Sequence, residues 1–224
     1  MPLHPFRPDH KHQRGTTEMP ASPTINDTAP GVVDATATKR VMEGKKQLRA
    51  ALLSARQAMS TAQRARADAT IAARILQWWR AGSLPVLGIY SAIRGEPDLG
   101  ALYEALHADG AVLALPAVTD AAQALRFLRW APGDTTVMDR FGVAVPARQE
   151  IVEPDALLIP CVGFNAACMR LGYGGGFYDR TLERRPRPAT LGVAYDCGEA
   201  SFETEAHDIA LDAIVTENRI IRPA

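Results

Sequence analysis

A chain of 224 residues that is 47% hydrophobic supports one medium-sized core and is too short for two full domains. Twenty-five basic residues balance twenty-five acidic ones, so no net field draws in nucleic acid or an anionic membrane surface, and a charged ligand has to be met by a local cluster. Three cysteines without Cys-x-x-Cys spacing argue against a disulfide framework or a zinc site, and no apolar run approaches the roughly 18 residues of a membrane span; a soluble, cytoplasmic protein is expected.

Residues 1–40 are rich in Pro, Thr, Asp, His and Ala without an apolar period and read as a disordered extension, with Met19 and Met42 as alternative starts of translation. From Lys45, Leu48, Leu52, Leu53 and Met59 recur at helical spacing. Ser60 and Gln63 form a capping box for a second helix, which carries Ile71, Ile75, Leu76 and Trp79 toward a core and ends near Gly82. Short β-rich runs follow at 85–90, 111–115, 125–130, 156–159, 190–194 and 213–216, several of them continuously apolar, as buried parallel strands are. Between the first two, Leu99, Leu102, Tyr103 and Leu106 mark a helix over 99–108. Strand, helix, strand predicts an α/β fold in one domain over 41–224: an open, largely parallel sheet flanked by helices in three layers, Rossmann-like.

The most informative segment is Arg-Leu-Gly-Tyr-Gly-Gly-Gly-Phe-Tyr-Asp at 170–179, between a strand ending at Pro160 and a helix predicted over 177–184. Its glycines allow a tight turn and bring N–H groups up to an anion, and Arg170 adds a forked cation. On glycines alone an empty strand-to-helix turn fits equally well, since neither a Walker loop nor Gly-x-Gly-x-x-Gly is completed. Tyr178 offers a stacking ring and Asp179 a carboxylate for Mg²⁺, or simply a first-turn helix acid. Lys45 and Arg49 share a helical face, with Lys46 beside them and Arg56 two turns on, a face suited to phosphates or merely to solvent. Ser91, Arg94 and Glu96 follow the first strand where open sheets place ligand loops, and the Glu96 carboxylate suits the N–H edge of a heterocycle. Asp208, in the acidic cluster Glu203, Glu205, His207, Asp208, is a second candidate for Mg²⁺. His207 reads as an incidental surface residue, and Cys161, Cys168 and Cys197 as packing residues.

Over roughly residues 45–217 this sequence resembles the 5-formyltetrahydrofolate cyclo-ligase family, also called methenyltetrahydrofolate synthetase. The resemblance is carried by Leu158 to Phe164 and the 170–179 signature, supported in order by Lys45-Lys-Gln-Leu-Arg49, Glu96, His207-Asp208, Asp212 and Thr216. It implies an ATP- and Mg²⁺-dependent ligase of folate one-carbon metabolism that turns 5-formyltetrahydrofolate into 5,10-methenyltetrahydrofolate through a phosphorylated formyl group, releasing ADP and phosphate. Two alternatives remain: action on another folate or pterin-like substrate, and folate or nucleotide binding without turnover. Carried over by position, Lys45, Lys46, Gln47, Leu48, Arg49, Arg170, Leu171, Gly172, Tyr173, Gly174, Gly175, Gly176, Phe177 and Tyr178 would contact ATP. Arg170 and Tyr178 would be catalytic, and Asp179 and Asp208 would hold the metal. Ser91 and Glu96 would contact the folate, together with Tyr173, Gly174, Gly175, Gly176 and Phe177. Phe177 stands where many members have Tyr, which removes one hydroxyl. A monomer is expected.

Overall fold

The computed structural model describes residues 35–223 apart from 83, 121, 140, 141 and 206, with side chains from residue 43 onward. In chain order the elements are α1 (Ala35–Ala58), α2 (Thr61–Ala81), β1 (Val86–Gly88), α3 (Gly100–Ala108), β2 (Val112–Ala117), β3 (Arg126–Trp130), β4 (Thr136–Met138) and β5 (Ala144–Pro146). They continue with β6 (Ile151–Val152), β7 (Ala156–Pro160), β8 (Gly163–Phe164), β9 (Arg170–Leu171), α4 (Phe177–Leu182), β10 (Ala189–Val193), β11 (Ala213–Val215) and β12 (Ile220–Ile221). α1 starts at Ala35, so the last six residues of the expected disordered extension are helical; the rest of that extension lies outside the described residues.

Eight strands form one sheet in the order β12-β11-β10-β7-β1-β2-β3-β6. The five from β11 to β2 run parallel, and antiparallel strands flank them on both sides. Alternation within a strand sorts side chains to the two faces. Leu113 and Leu115 of β2 and Leu158 of β7 join Ile71 and Ile75 of α2 and Leu102 and Leu106 of α3 in one core. Ala114, Leu157 and Ile159 point the other way, into a second core with Phe127, Phe164 and Leu182 of α4. Both faces are covered, which is why these strands are apolar throughout and why the expected three-layer α/β class is observed. β1 pairs with both β2 and β7 through Leu87, opposite Leu113 and Ala156. At Gly88 a Cβ would stand 2.4 Å from Leu157 Cδ2 and 2.9 Å from the Phe127 ring, so only glycine lets that side of the sheet close.

The expected capping box is present: Ser60 Oγ accepts from the Gln63 N–H, and Gln63 Oε1 accepts from the Ser60 N–H. Such a cap stabilises a helix by about 1 kcal/mol and here fixes the turn from α1 into α2. α1 lies apart from the main core. Its Leu48, Leu52 and Leu53 pack on Val162, Leu171 and Phe202, seating the helix against the β8–β9 ribbon.

Candidate functional site

The carboxyl ends of β1, β2 and β7, the β8–β9 ribbon and the start of α4 enclose a cavity of about 740 Å³. Lys45, Arg49, Arg170 to Asp179 and Asp208 line it, as do Ser91, Arg94 and Glu96.

Local chemistry shapes the glycine loop. After β7 the chain turns back as the β8–β9 ribbon, held at its tip by Asn165, whose Oδ1 accepts from the N–H groups of Ala167 and Met169. β9 consists of Arg170 and Leu171, so the pairing of Phe164 with Arg170 fixes where the guanidinium leaves the backbone. Gly174 (φ +92°) and Gly176 (φ +64°) occupy the left-handed region that disfavours side chains. Arg49 Nε donates to the Gly172 carbonyl at 2.8 Å, anchoring the loop to α1. α4 ends at Leu182, two residues short of the predicted 184. With six residues it carries little macrodipole, so positive charge at this end comes from Arg49, Arg170 and Lys45.

Those cations are matched by acids. Arg170 is 5% exposed at its side chain; Nη2 meets Asp179 Oδ1 at 2.5 Å and Nη1 donates to the Ile209 carbonyl at 2.8 Å. Lys45 Nζ lies 2.9 Å from both Glu205 Oε1 and Asp208 Oδ2. Burial disfavours charge on Lys45, but hydrogen bonds and attraction to Asp208 and Glu205 outweigh it and hold its pKa above the usual lysine value. Burial likewise pushes Asp208 up, and the Glu205 N–H and Lys45 together bring it below the usual aspartate value. Asp179 Oδ2 and Asp208 Oδ1 have no donor among the described residues.

The loop after β1 adds a buried acid to the lining. The loop after β1 is locked by Tyr103, whose hydroxyl donates to the Tyr90 carbonyl, and by Tyr90, whose hydroxyl donates to the Pro97 carbonyl. Arg94 and Gly95, both at positive φ, reverse the chain so that Glu96 Oε2 accepts the Ile93 N–H at 3.0 Å. Glu96 Oε1 accepts the Tyr173 hydroxyl at 2.8 Å. Glu96 is 4% exposed. Burial raises its pKa above the usual glutamate value, against the pull of those two donors and of Arg56 and Arg94. Ile93, Val118, Val143 and Phe177 supply apolar wall. A carboxylate with one fixed donor on each oxygen retains acceptor capacity on both, which suits a flat heterocycle with neighbouring N–H groups.

Not every expected residue reaches the cavity. Lys46 and Gln47 are exposed and absent from its lining, and Leu48 belongs to the apolar seat of α1. At 100° per residue, Lys45 and Arg49, four apart, lie on one face, whereas Lys46 and Gln47 are turned about 100° and 200° from Lys45. Arg56 is not on a phosphate-facing surface: it is 3% exposed and donates to the Cys161 carbonyl at 2.5 Å, beneath the site. His207 is 65% exposed at the cavity rim. Asp212 accepts from the Thr190 N–H and pairs with Arg187, and the Thr216 hydroxyl closes the turn before β12; both support strands outside the cavity lining. Burial pushes the Cys161 thiol up to about 12, in keeping with a packing residue. Arg94, Val143 and Glu205 line the site in places the sequence signalled weakly: Arg94 through its position in the loop after the first strand, Glu205 through its acidic cluster, Val143 not at all.

Comparison with known proteins identifies the family. The curated 5-formyltetrahydrofolate cyclo-ligase of Mycolicibacterium smegmatis is 34% identical over 190 residues, covering 78% of this chain and 94% of that one. That of Escherichia coli K12 is 33% identical over 143 residues, 60% of this chain and 79% of its own. The solved structure of Aquifex aeolicus 5,10-methenyltetrahydrofolate synthetase superposes with a TM-score of 0.69 at 28% identity, over 80% of this chain and 92% of that one. The Mycoplasma pneumoniae synthetase shares the fold, with a TM-score of 0.66 at 24% identity over 77% of this chain and 98% of its own. Since the family model for these enzymes matches residues 41–217, taking in most of α1, the glycine loop and Asp208 alike, this chain belongs to the 5-formyltetrahydrofolate cyclo-ligase family.

Proposed function

We propose that this chain converts 5-formyltetrahydrofolate and ATP into 5,10-methenyltetrahydrofolate, ADP and phosphate. One observation carries the reading: a single cavity is lined both by the cations and glycines of the loop and by a buried carboxylate, Glu96. Such a cavity can hold a polyphosphate and a heterocycle in one enclosure, which is what transfer between them requires.

A formamide oxygen is a poor leaving group. In the proposed reaction it attacks the γ-phosphorus and releases ADP. The N10 nitrogen then adds to the activated formyl carbon and gives up its proton, and the C–O bond breaks to release phosphate. The protein supplies alignment and charge rather than a nucleophile. Arg170 would stabilise the transferring phosphoryl oxygens, with Lys45 and Arg49 along the chain of phosphates. Burial pushes the Tyr178 phenol well above the usual tyrosine range, so it remains a hydroxyl able to donate beside Arg170. Glu96 and Ser91 would orient the folate. Asp179 and Asp208, each with one oxygen lacking a protein donor among the described residues, are the carboxylates that would be offered to Mg²⁺, which favours one or two carboxylates plus phosphate and water. When bound, the ion neutralises phosphate charge.

Purified protein mixed with ATP, Mg²⁺ and 5-formyltetrahydrofolate should develop the near-ultraviolet absorbance of the methenyl product, and chelation of Mg²⁺ should abolish it. Binding of both ligands without that signal would favour a non-catalytic binder; phosphate release with a different pterin alone would change the substrate.

A further inference from the structure

Tyr173 links the glycine loop to the loop after β1 through one side chain. Its backbone belongs to the glycine loop, next to Gly172, whose carbonyl is held by Arg49. Its hydroxyl lies 2.8 Å from Glu96 Oε1 on the loop after β1. Arg94 sits over the ring, 5.2 Å from its centroid. Beneath, Arg56 Nη1 approaches the hydroxyl at 3.4 Å, while Nη2, on the Cys161 carbonyl, anchors the guanidinium in the core. We propose that the Tyr173 hydroxyl is a latch, braced by Arg56 and closed on Glu96, that makes ligand binding at the glycine loop and ligand binding at Glu96 mutually reinforcing.

The physical basis is the cost of ordering glycines. Gly172 and Gly174 flank Tyr173, and fixing a residue's backbone costs about 1–2 kcal/mol, more for glycine than for other residues. A ligand that settles Glu96 also settles the tyrosine bonded to it, so a second ligand at the loop meets a segment whose ordering is already complete, and the reverse holds by linkage. Burial and the neighbouring Glu96 push the phenol up to about 12, so the hydroxyl stays a donor at any working pH. Arg56 and Tyr173 are positioning residues in this scheme.

The latch rests on the reading of the cavity given above, and its test separates the two. Calorimetric titration with a non-hydrolysable ATP analogue and Mg²⁺, with and without saturating 5-formyltetrahydrofolate, gives the ratio of the two dissociation constants. We expect wild-type protein to bind the analogue about tenfold more tightly when folate is present, within the usual range of coupling. Tyr173→Phe, which keeps the ring under Arg94, should bring the ratio below about twofold, and Arg56→Lys should give an intermediate value. If the Tyr173 hydroxyl merely touched the nucleotide, its removal would weaken binding equally in both titrations and leave the ratio unmoved, so the ratio reports the latch alone. Thermal melting and far-ultraviolet circular dichroism identify folded variants. Wild-type protein that binds both ligands without coupling, or folded Tyr173→Phe that keeps the full ratio, would overturn the latch alone. Wild-type protein that binds neither ligand would overturn the reading of the cavity and the latch with it.

Discussion

The glycine loop and the loop after β1 treat charge in opposite ways. At the glycine loop Arg170 and Lys45 are held by Asp179, Asp208 and Glu205, so in the proposed role an arriving phosphate would exchange partners with groups already in place. On the loop after β1 Glu96 is buried and held by the neutral donors Ile93 N–H and Tyr173 hydroxyl, with no salt bridge to it among the described residues. A loop that must accept a highly charged ligand and release it as two products gains from charges that re-pair when it leaves. A loop that must discriminate between heterocycles gains from a fixed acceptor whose burial makes any mismatch costly.

The largest effect expected from breaking this contrast is at Arg170. Arg170→Ala should lower kcat by about 10²–10³, the usual consequence of removing one preorganised charge from a transition state. It also leaves Asp179 without its cation and the Ile209 carbonyl without its donor, so the melting temperature should fall as well. Steady-state kinetics on the folded fraction separates the two effects. Activity within about threefold of wild type would remove Arg170 from the reaction and leave it a structural tie between β9 and α4.

Glu96→Gln should act more narrowly. The amide can still accept from the Tyr173 hydroxyl but replaces one oxygen by a donor, so KM for 5-formyltetrahydrofolate should rise roughly tenfold to a hundredfold while KM for ATP changes little. The pH profile sharpens the point. In the proposed role Glu96 would have to be ionised to accept two N–H groups, so wild-type folate affinity should fall as pH drops through a midpoint above the ordinary 4.5, and Glu96→Gln should lack that acidic limb. Stability carries the opposite sign. A carboxyl whose pKa is raised by folding binds its proton more tightly in the native state, so its contribution is fullest below 4.5 and is lost as pH rises through the folded value. Melting curves across that window should slope downward with pH less steeply in Glu96→Gln. An unchanged KM for folate would detach Glu96 from the heterocycle.

What was legible in the sequence follows the range of the interactions. The central strands were readable because burial on both faces makes them continuously apolar, and the cap at Ser60 because its partners lie three residues apart. β6, β8, β9 and β12 have two residues each, too few for any period, and exist only because a partner strand is there. In the site, the glycine loop was visible because its chemistry is contiguous. Arg170 and Asp179 were both marked, yet as a cation for phosphate and a ligand for metal; that they pair with each other depends on how β9 enters α4. Lys45 and Asp208 are 163 positions apart, and no local pattern encodes their contact. Arg56 misled for a related reason. Spacing along α1 marks it as surface, but its turn of the helix lies over Cys161 and is closed in by the sheet.

The smallest effect tests how the helix aims its cations. Lys45 and Lys46 are adjacent, chemically identical and equally part of the family-like segment, yet Lys45 is buried against Asp208 and Lys46 faces solvent. A solvated charge about 100° around the helix from the cavity acts on a bound phosphate only through water and salt, and at physiological ionic strength that field decays over roughly 8 Å. Lys46→Ala should therefore leave KM for ATP within about twofold of wild type at that salt and show a modest rise only when salt is lowered. Lys45→Ala, measured alongside, should raise KM for ATP by more than about tenfold, since it removes a cation held at the cavity wall and leaves Glu205 and Asp208 facing the phosphates with their repulsion unopposed. Equal effects from the two lysines would mean that α1 presents a diffuse basic surface to the nucleotide, and the division between an exchangeable anion loop and a fixed heterocycle loop would have to be redrawn around Arg49 and Arg170 alone.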